Sequence, residues 1–300
     1  MDKNSFYQGT RAALPIVLGY LPVGMAFGVL ARKAGLTPLE AGGMSFLVYA
    51  GASQFIAVEM ISKGALWFPI ILTTFFVNLR HFLMSSTLSL QFNRHPMRTF
   101  ALLAAQLTDE SFAVAMTDVS RISNRPRYLF GLQMISHLAW IGGSVGGALF
   151  GELIGHERVG LPFALPALFI CLLVLQIKSV HLFGVMILAG IFSIFVKWAL
   201  PGHWYILEGE KMRGEMIALI LGMAVVTFLP RFLPMALLTR WVIPEKVQLA
   251  LEDLPVAILS AIVFALFLFG GDGAFDLQPR FLVAAIPIFL FAWKVRSIWG

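Results

Sequence analysis

Arg80, His81, Asp109 and Glu110 lie deep inside long apolar segments, where ionisable side chains are costly. Arg80 and His81 interrupt Leu66–Leu90, and Asp109 and Glu110 interrupt Thr99–Met116. A polar turn, Asn93-Arg94-His95-Pro96, joins the two segments. Counting back from its middle to Arg80, and forward to Asp109, covers nearly equal lengths, so an antiparallel helical hairpin levels the two charges. At the helical rise that level is roughly 20 Å from the turn, near the centre of a hydrocarbon core about 30 Å thick. A lone charge there costs at least about 2.5–3.5 kcal/mol, which predicts that these groups are paired or face water.

Asp109 and Glu110 are sequential and so point roughly 100° apart around a helix. One can pair with Arg80 while the other faces a cavity. A carboxyl in an apolar setting suits reversible protonation near neutral pH. The residues alone leave open a structural ion pair, proton coupling and binding of a substrate ammonium. Ser53 and Gln54 follow Gly51 in mid-segment, and Asn78 precedes Arg80 by two residues on another helix face. Arg231, between Pro230 and Pro234 and one turn after Thr227, is a further intramembrane cation. Asp109, Glu110, Arg80, Asn78, Ser53, Gln54 and Arg231 are therefore the candidate substrate or proton-pathway residues. Glu59 is near enough to a segment end to reach the interface, and His137 and His181 read as packing residues.

These residues are positioned by membrane helices. The chain is 59% hydrophobic and 13% charged, about half the charged fraction of a soluble domain. Apolar stretches of spanning length recur throughout, and the alternating segments of a β-barrel are absent. The expected class is an all-α polytopic membrane protein with about ten spans. The spans are Ala12–Ala31, Leu39–Ile61, Leu66–Leu90, Met97–Met116, Tyr128–Leu153, Leu161–Ile177 and Val180–Leu200, then Met216–Leu238, Leu254–Gly270 and Phe281–Trp293. The charged run Glu208–Glu215 separates the first seven from the last three.

Several spans carry helix breakers: Pro15, Pro22 and Gly24 in the first, Gly51 in the second, Pro230 and Pro234 in the eighth. They act either as packing kinks or as interruptions whose free helix ends bind substrate. Leu161–Pro166 repeats the proline spacing of Leu229–Pro234. Gly143, Gly147 and Gly151, flanked by Gly142 and Gly146, form small-residue stripes that favour close helix approach.

The net charge of +6 falls mainly in short loops and reads as topogenic charge beside lipid headgroups, not as a nucleic-acid surface. A small excess of Lys and Arg favours both termini in the cytoplasm. The first segment lacks a cleavage site and reads as a retained span. The single Cys171 excludes an intramolecular disulfide and a cysteine-based metal cluster. Motifs of zinc hydrolases, serine hydrolases and phosphate-binding loops are absent, and His156-Glu157 has no second histidine. No enzymatic activity, cofactor or metal is expected.

Leu14-Pro15, Gly19–Gly28, Tyr49–Phe55, Asn78-Leu79-Arg80-His81 and Leu107–Phe112 occur in order on successive spans. Together they resemble the AzlC family of branched-chain amino-acid exporters over about residues 6–200. Gly222–Pro234 and Leu254–Ala261 resemble the small partner family AzlD, usually a separate chain. The resemblance implies an AzlC-like part, 1–207, a polar joint, 208–215, and an AzlD-like part, 216–300. The tail holds about one span fewer than the resemblance implies.

The implied function is export of branched-chain, and other apolar, amino acids across the bacterial cytoplasmic membrane by alternating access, coupled to a proton or other ion gradient. A passive channel and a non-transporting assembly factor are the alternatives. The implied partners are the amino acid, the coupling ion and the bilayer, with a homo-oligomer left open.

Overall fold

The computed structural model describes residues 3–89, 95–118, 124–150, 179–199 and 215–237, with isolated positions between 170 and 263. Among these residues every regular element is an α-helix. They are α1 (Lys3–Ala12), α2 (Leu14–Lys33), α3 (Pro38–Leu47), α4 (Gly51–Ser62), α5 (Trp67–Asn78), α6 (Arg80–Ser89), α7 (Met97–Ala105), α8 (Asp109–Asp118), α9 (Arg125–Phe150), α10 (Val180–Ala199) and α11 (Met216–Leu237). The expected span Phe281–Trp293, nearly all of Leu161–Ile177 and of Leu254–Gly270, Cys171, Gly151, His156-Glu157 and the joint before Glu215 lie outside the described residues.

The chain forms two compact units. The first comprises Met1–Val159 and Glu208–Pro244 and holds α1–α9 with α11; the second comprises Gly160–Leu207 and Glu245–Gly300 and holds α10. Leu14–Lys33 and Met216–Ala236 are each long and apolar enough to cross a membrane, and the bent pair α5–α6 passes the same test as one span. In the first unit Leu18, Phe46, Phe68, Leu102, Leu138 and Ile217 are exposed, while Ser45, Gln54, Asn78, Ser144 and Thr227 are buried. An apolar exterior around a polar, hydrogen-bonded interior suits lipid as solvent.

Three expected spans are divided in mid-course. Leu39–Ile61 becomes α3 and α4 around Val48–Ala50, with Tyr49 at φ 42°. Leu66–Leu90 becomes α5 and α6, bent by 41° at Leu79. Met97–Met116 becomes α7 and α8 around Gln106–Thr108. Thr37 starts α3 with a capping box, its hydroxyl accepting from the Glu40 N–H while the Glu40 carboxylate accepts from the Thr37 N–H. Thr108 starts α8 similarly: its hydroxyl accepts from Ser111 N–H at 3.3 Å and its own N–H donates to Ser111 Oγ at 3.0 Å.

Most of the expected breaks at proline and glycine are corrected. α2 runs unbroken through Pro22 and Gly24, and Pro15 occupies its first turn, where a missing N–H costs nothing. α11 runs unbroken through Pro230 and Pro234. A long helix packed among others in lipid tolerates the lost backbone bond at an internal proline. Gly51 is the first residue of α4, and a Cβ there would lie 3.0 Å from the Trp140 ring.

Gly24 is a packing residue, and the small-residue stripe of α9 meets it. A Cβ on Gly24 would come within 3.0 Å of the Trp140 carbonyl oxygen. One on Gly28 would collide with the backbone of Ser144 and Ala148, and one on Gly147 with the backbone of Met25. Gly142 and Gly146 meet nothing within 4 Å, so one stripe of the two makes the contact. Lipid tails are as apolar as side chains, so close backbone approach is what holds such helices together.

Gly28→Ala should therefore force α2 and α9 apart and cost about 1–3 kcal/mol, as overpacking does. Gly19→Ala, with open space at its Cβ, should change stability by less than about 0.5 kcal/mol. Thermal unfolding of the detergent-solubilised chain measures both; equal effects would show that the close approach is not a determinant of stability.

Candidate functional site

The divided spans bring their polar residues together inside the first unit. Arg80, at the start of α6, is 5% exposed and places Nη2 3.0 Å from Oδ2 of Asp109, which is 22% exposed. This is the pair that the hairpin geometry requires. Asp109 and Glu110 occupy the first turn of α8, where the positive end of the helix dipole favours carboxylates. Glu110 faces elsewhere, as its position around the helix dictates. Its Oε2 accepts a 2.6 Å hydrogen bond from the Tyr20 hydroxyl on α2. The Tyr20 oxygen lies 2.9 Å from Thr108 Oγ1. Having one proton, Tyr20 donates to the carboxylate and accepts from the threonine. Among the described residues Glu110 has no ion-pair partner.

Arg231 enters this region from α11 and is 1% exposed. Its Nη2 donates to the Tyr49 carbonyl at 2.8 Å, and its Nη1 to the carbonyls of Ala105 at 3.1 Å and Val48 at 3.5 Å. Val48 and Tyr49 follow the C-terminus of α3, and Ala105 ends α7. Two helix C-termini thus point their free carbonyls at one guanidinium. Each such end carries about half a negative elementary charge, so the pair offsets roughly one cation without any carboxylate.

Arg231 Nη2 also lies 3.4 Å from His81 Nε2, while His81 Nδ1 lies 3.1 Å from the Asn78 carbonyl. A neutral imidazole with its proton on Nδ1 satisfies both contacts. Asn78 Nδ2 donates to Ser53 Oγ at 3.1 Å and to Thr227 Oγ1 at 2.8 Å, tying α4, α5 and α11. Gln54 accepts from Ala50 N–H at 3.2 Å and from Trp140 Nε1 at 3.0 Å, and donates to Ser45 Oγ at 3.2 Å. The N-terminus of α4 is thus capped partly by its own side chain. The Pro22–Gly24 stretch, inside a continuous helix, presents no free helix end.

Asp109, Glu110, Arg80, Asn78, Ser53, Gln54 and Arg231 therefore all lie in the first unit, in a hydrogen-bonded centre or at its edge. Glu59 lies apart, partly exposed and paired with Lys63 at 2.8 Å. His137 packs, stacked 3.9 Å from the Tyr49 ring and bonded to the Ser45 carbonyl, and His181 is exposed. Sequence reasoning missed Tyr20, Thr108, Ser45 and Trp140. Thr108 had a signal, the Thr-x-x-Ser spacing that encloses the two carboxylates. Tyr20 had none, because its bonds reach α8 from 88 and 90 residues away.

Not every group at the centre is satisfied. Arg80 Nε and Nη1, Asn78 Oδ1, Tyr49 Oη and Arg231 Nε are buried without a hydrogen-bond partner. Among the described residues, no group of three or more His, Cys, Asp or Glu could hold a metal.

Buried charges inside divided apolar helices define a helical membrane protein. Residues 15–154 match the AzlC protein family, and residues 216–300 match the family described as branched-chain amino acid transport protein (AzlD). An uncharacterized membrane protein of Archaeoglobus fulgidus is 37% identical over 59% of this chain and 78% of its own length. Inner membrane protein YgaZ of Escherichia coli is 38% identical over 56% of this chain and 72% of its own. Branched-chain amino acid transport protein AzlC of Bacillus subtilis is 26% identical over 54% of this chain and 64% of its own. No solved structure matches at a significant level. The chain belongs to the AzlC/AzlD branched-chain amino acid transport family, with both parts in one polypeptide.

Arg231→Ala should lower the stability of the first unit by about 2 kcal/mol or more, since it leaves two helix ends without their donor. Arg231→Lys should recover only part of this, because an ammonium lacks the planar fork that serves both ends. Thermal inactivation in detergent reads the difference. Wild-type stability in Arg231→Ala would show that the guanidinium does not tie α3 to α7.

Proposed function

We propose that the chain is a secondary transporter that exports branched-chain, and other apolar, amino acids across the bacterial cytoplasmic membrane by alternating access. The reading takes the chain to have about ten spans, as an AzlC-like part over residues 1–207, a joint over 208–215 and an AzlD-like part over 216–300. One observation carries it: consecutive spans are divided at the level where Arg80 and Arg231 are buried and Asp109 and Glu110 are part-buried. Divided helices with charged groups at their breaks are how many secondary transporters build a midplane site. The similarity to AzlC of Bacillus subtilis, named a branched-chain amino acid transport protein, supports the substrate class.

Proton coupling falls to Glu110. Asp109 is engaged by Arg80, whereas Glu110 is held by the Tyr20 hydroxyl, which accommodates either protonation state by rotating. Partial exposure of Glu110 leaves a route for the proton.

Vesicles preloaded with leucine should release it faster with a proton gradient than after its collapse. Glu110→Gln should abolish that acceleration, by about tenfold or more, at equal amounts of folded protein. Flux of the same size without a gradient would indicate a passive channel. Absence of any leucine-dependent flux would leave an assembly role.

A further inference from the structure

Arg80 is the least satisfied cation at the centre. It is 5% exposed and makes one ion-pair contact, from Nη2 to Asp109 at 3.0 Å, while Nε and Nη1 have no acceptor. Arg231, by contrast, spreads its contacts over several carbonyl oxygens and an imidazole nitrogen. Arg80 also opens its helix, the end at which the dipole disfavours a cation and favours an anion. A buried guanidinium with unused donors is costly, and a planar carboxylate is the acceptor its fork matches best.

We propose that Arg80 is the anchor for the carboxylate of a zwitterionic amino acid, which enters by exchanging with the Arg80–Asp109 ion pair. This rests on the transport reading above and names the chemistry by which that site recognises its substrate. The substrate carboxylate takes the guanidinium, and Asp109, released from Arg80, takes the substrate ammonium. A zwitterion arriving at an internal ion pair leaves no net charge buried at any stage, before or after exchange. An amine without the carboxylate, or an acid without the ammonium, leaves one protein charge unpaired and meets the corresponding penalty. The site therefore selects for the zwitterion itself, independently of the side chain. Such selection would let the apolar part of the substrate vary while its polar end stays fixed.

The test is a binding cycle on the full chain in lipid nanodiscs, using L-leucine, isoamylamine (leucine without its carboxylate) and isocaproate (leucine without its ammonium). The wild type should bind leucine at least about tenfold more tightly than either analogue. Arg80→Gln should reduce the ratio of leucine to isoamylamine affinity by about tenfold, with isoamylamine itself binding no more weakly, since the amine then leaves no guanidinium unpaired. Because Arg80→Gln strands Asp109, the same substitution is also made in an Asp109→Asn background, where neither charge remains; there too the ratio should collapse. Equal weakening of leucine and isoamylamine in both backgrounds would mean that Arg80 only holds the site together. That result overturns the exchange while leaving transport intact. Failure of the wild type to bind or move any branched-chain amino acid would instead remove the transport reading, and this inference with it.

Discussion

The arrangement depends on how the charge of Arg231 is balanced. A guanidinium buried in a membrane protein needs negative charge nearby, and among the described residues no carboxylate is bonded to this one. Two helix ends provide it: α3 stops at Leu47 and α7 at Ala105, and both direct free carbonyls at the same fork. The dependence runs both ways. Helices that stop inside lipid leave acceptors that water cannot reach, each costing several kcal/mol if unmet. The cation makes the breaks tolerable, and the breaks make the cation tolerable. Neither feature is stable without the other, which is why they occur at one level of the fold.

The same electrostatics sorts the other charges. Asp109 and Glu110 stand in the first turn of α8, at its positive end, with Thr108 fixing where that helix begins. Three residues separate α7 from α8, so one break offers carbonyls to Arg231 on one side and holds carboxylates on the other. Arg80 does not fit this scheme, since it sits at the wrong end of a helix for its sign and depends on Asp109. Because Arg80 has no other acceptor, its pair with Asp109 opens only where a new partner takes the guanidinium in exchange. The buried cations thus differ in their contacts, with Arg231 tied to main chain and Arg80 to a single carboxylate side chain.

The helical class, several span limits and the level of the charges were legible in the sequence, because hydrophobic length and charge depth are one-dimensional properties. Counting from a turn suffices to bring Arg80 and Asp109 together. The positions of the breaks were much less legible. Proline drew attention to Pro22, Pro230 and Pro234, yet α2 and α11 continue through them, because proline weakens a helix locally while packing decides whether it ends. The actual breaks at Val48–Ala50, Leu79 and Gln106–Thr108 contain no proline. They are set by tertiary partners, the Arg231 guanidinium above all, and by the short caps of Gln54 and Thr108. Gly24 was misread for the same reason: glycine marks either a weak helix or a close neighbour, and here the neighbour is the backbone of α9.

The balance at Arg231 also explains why the two family parts belong together. Arg231, Thr227 and the rest of α11 fall within residues 216–300, whereas among the described residues every acceptor of the Arg231 guanidinium falls within residues 15–154. If α11 were withdrawn, the first part would bare the carbonyls of α3 and α7, and α11 would carry a naked cation into lipid. Both costs are of the size that decides membrane-protein folding, and both vanish on association. The contact is therefore a condition for completing the centre, not an ornament on a finished one. Joining the parts in one polypeptide makes that association intramolecular, so its strength no longer depends on how much of each part the membrane contains. A centre assembled this way responds to anything that shifts α11, because moving one guanidinium alters the ends of two helices at once.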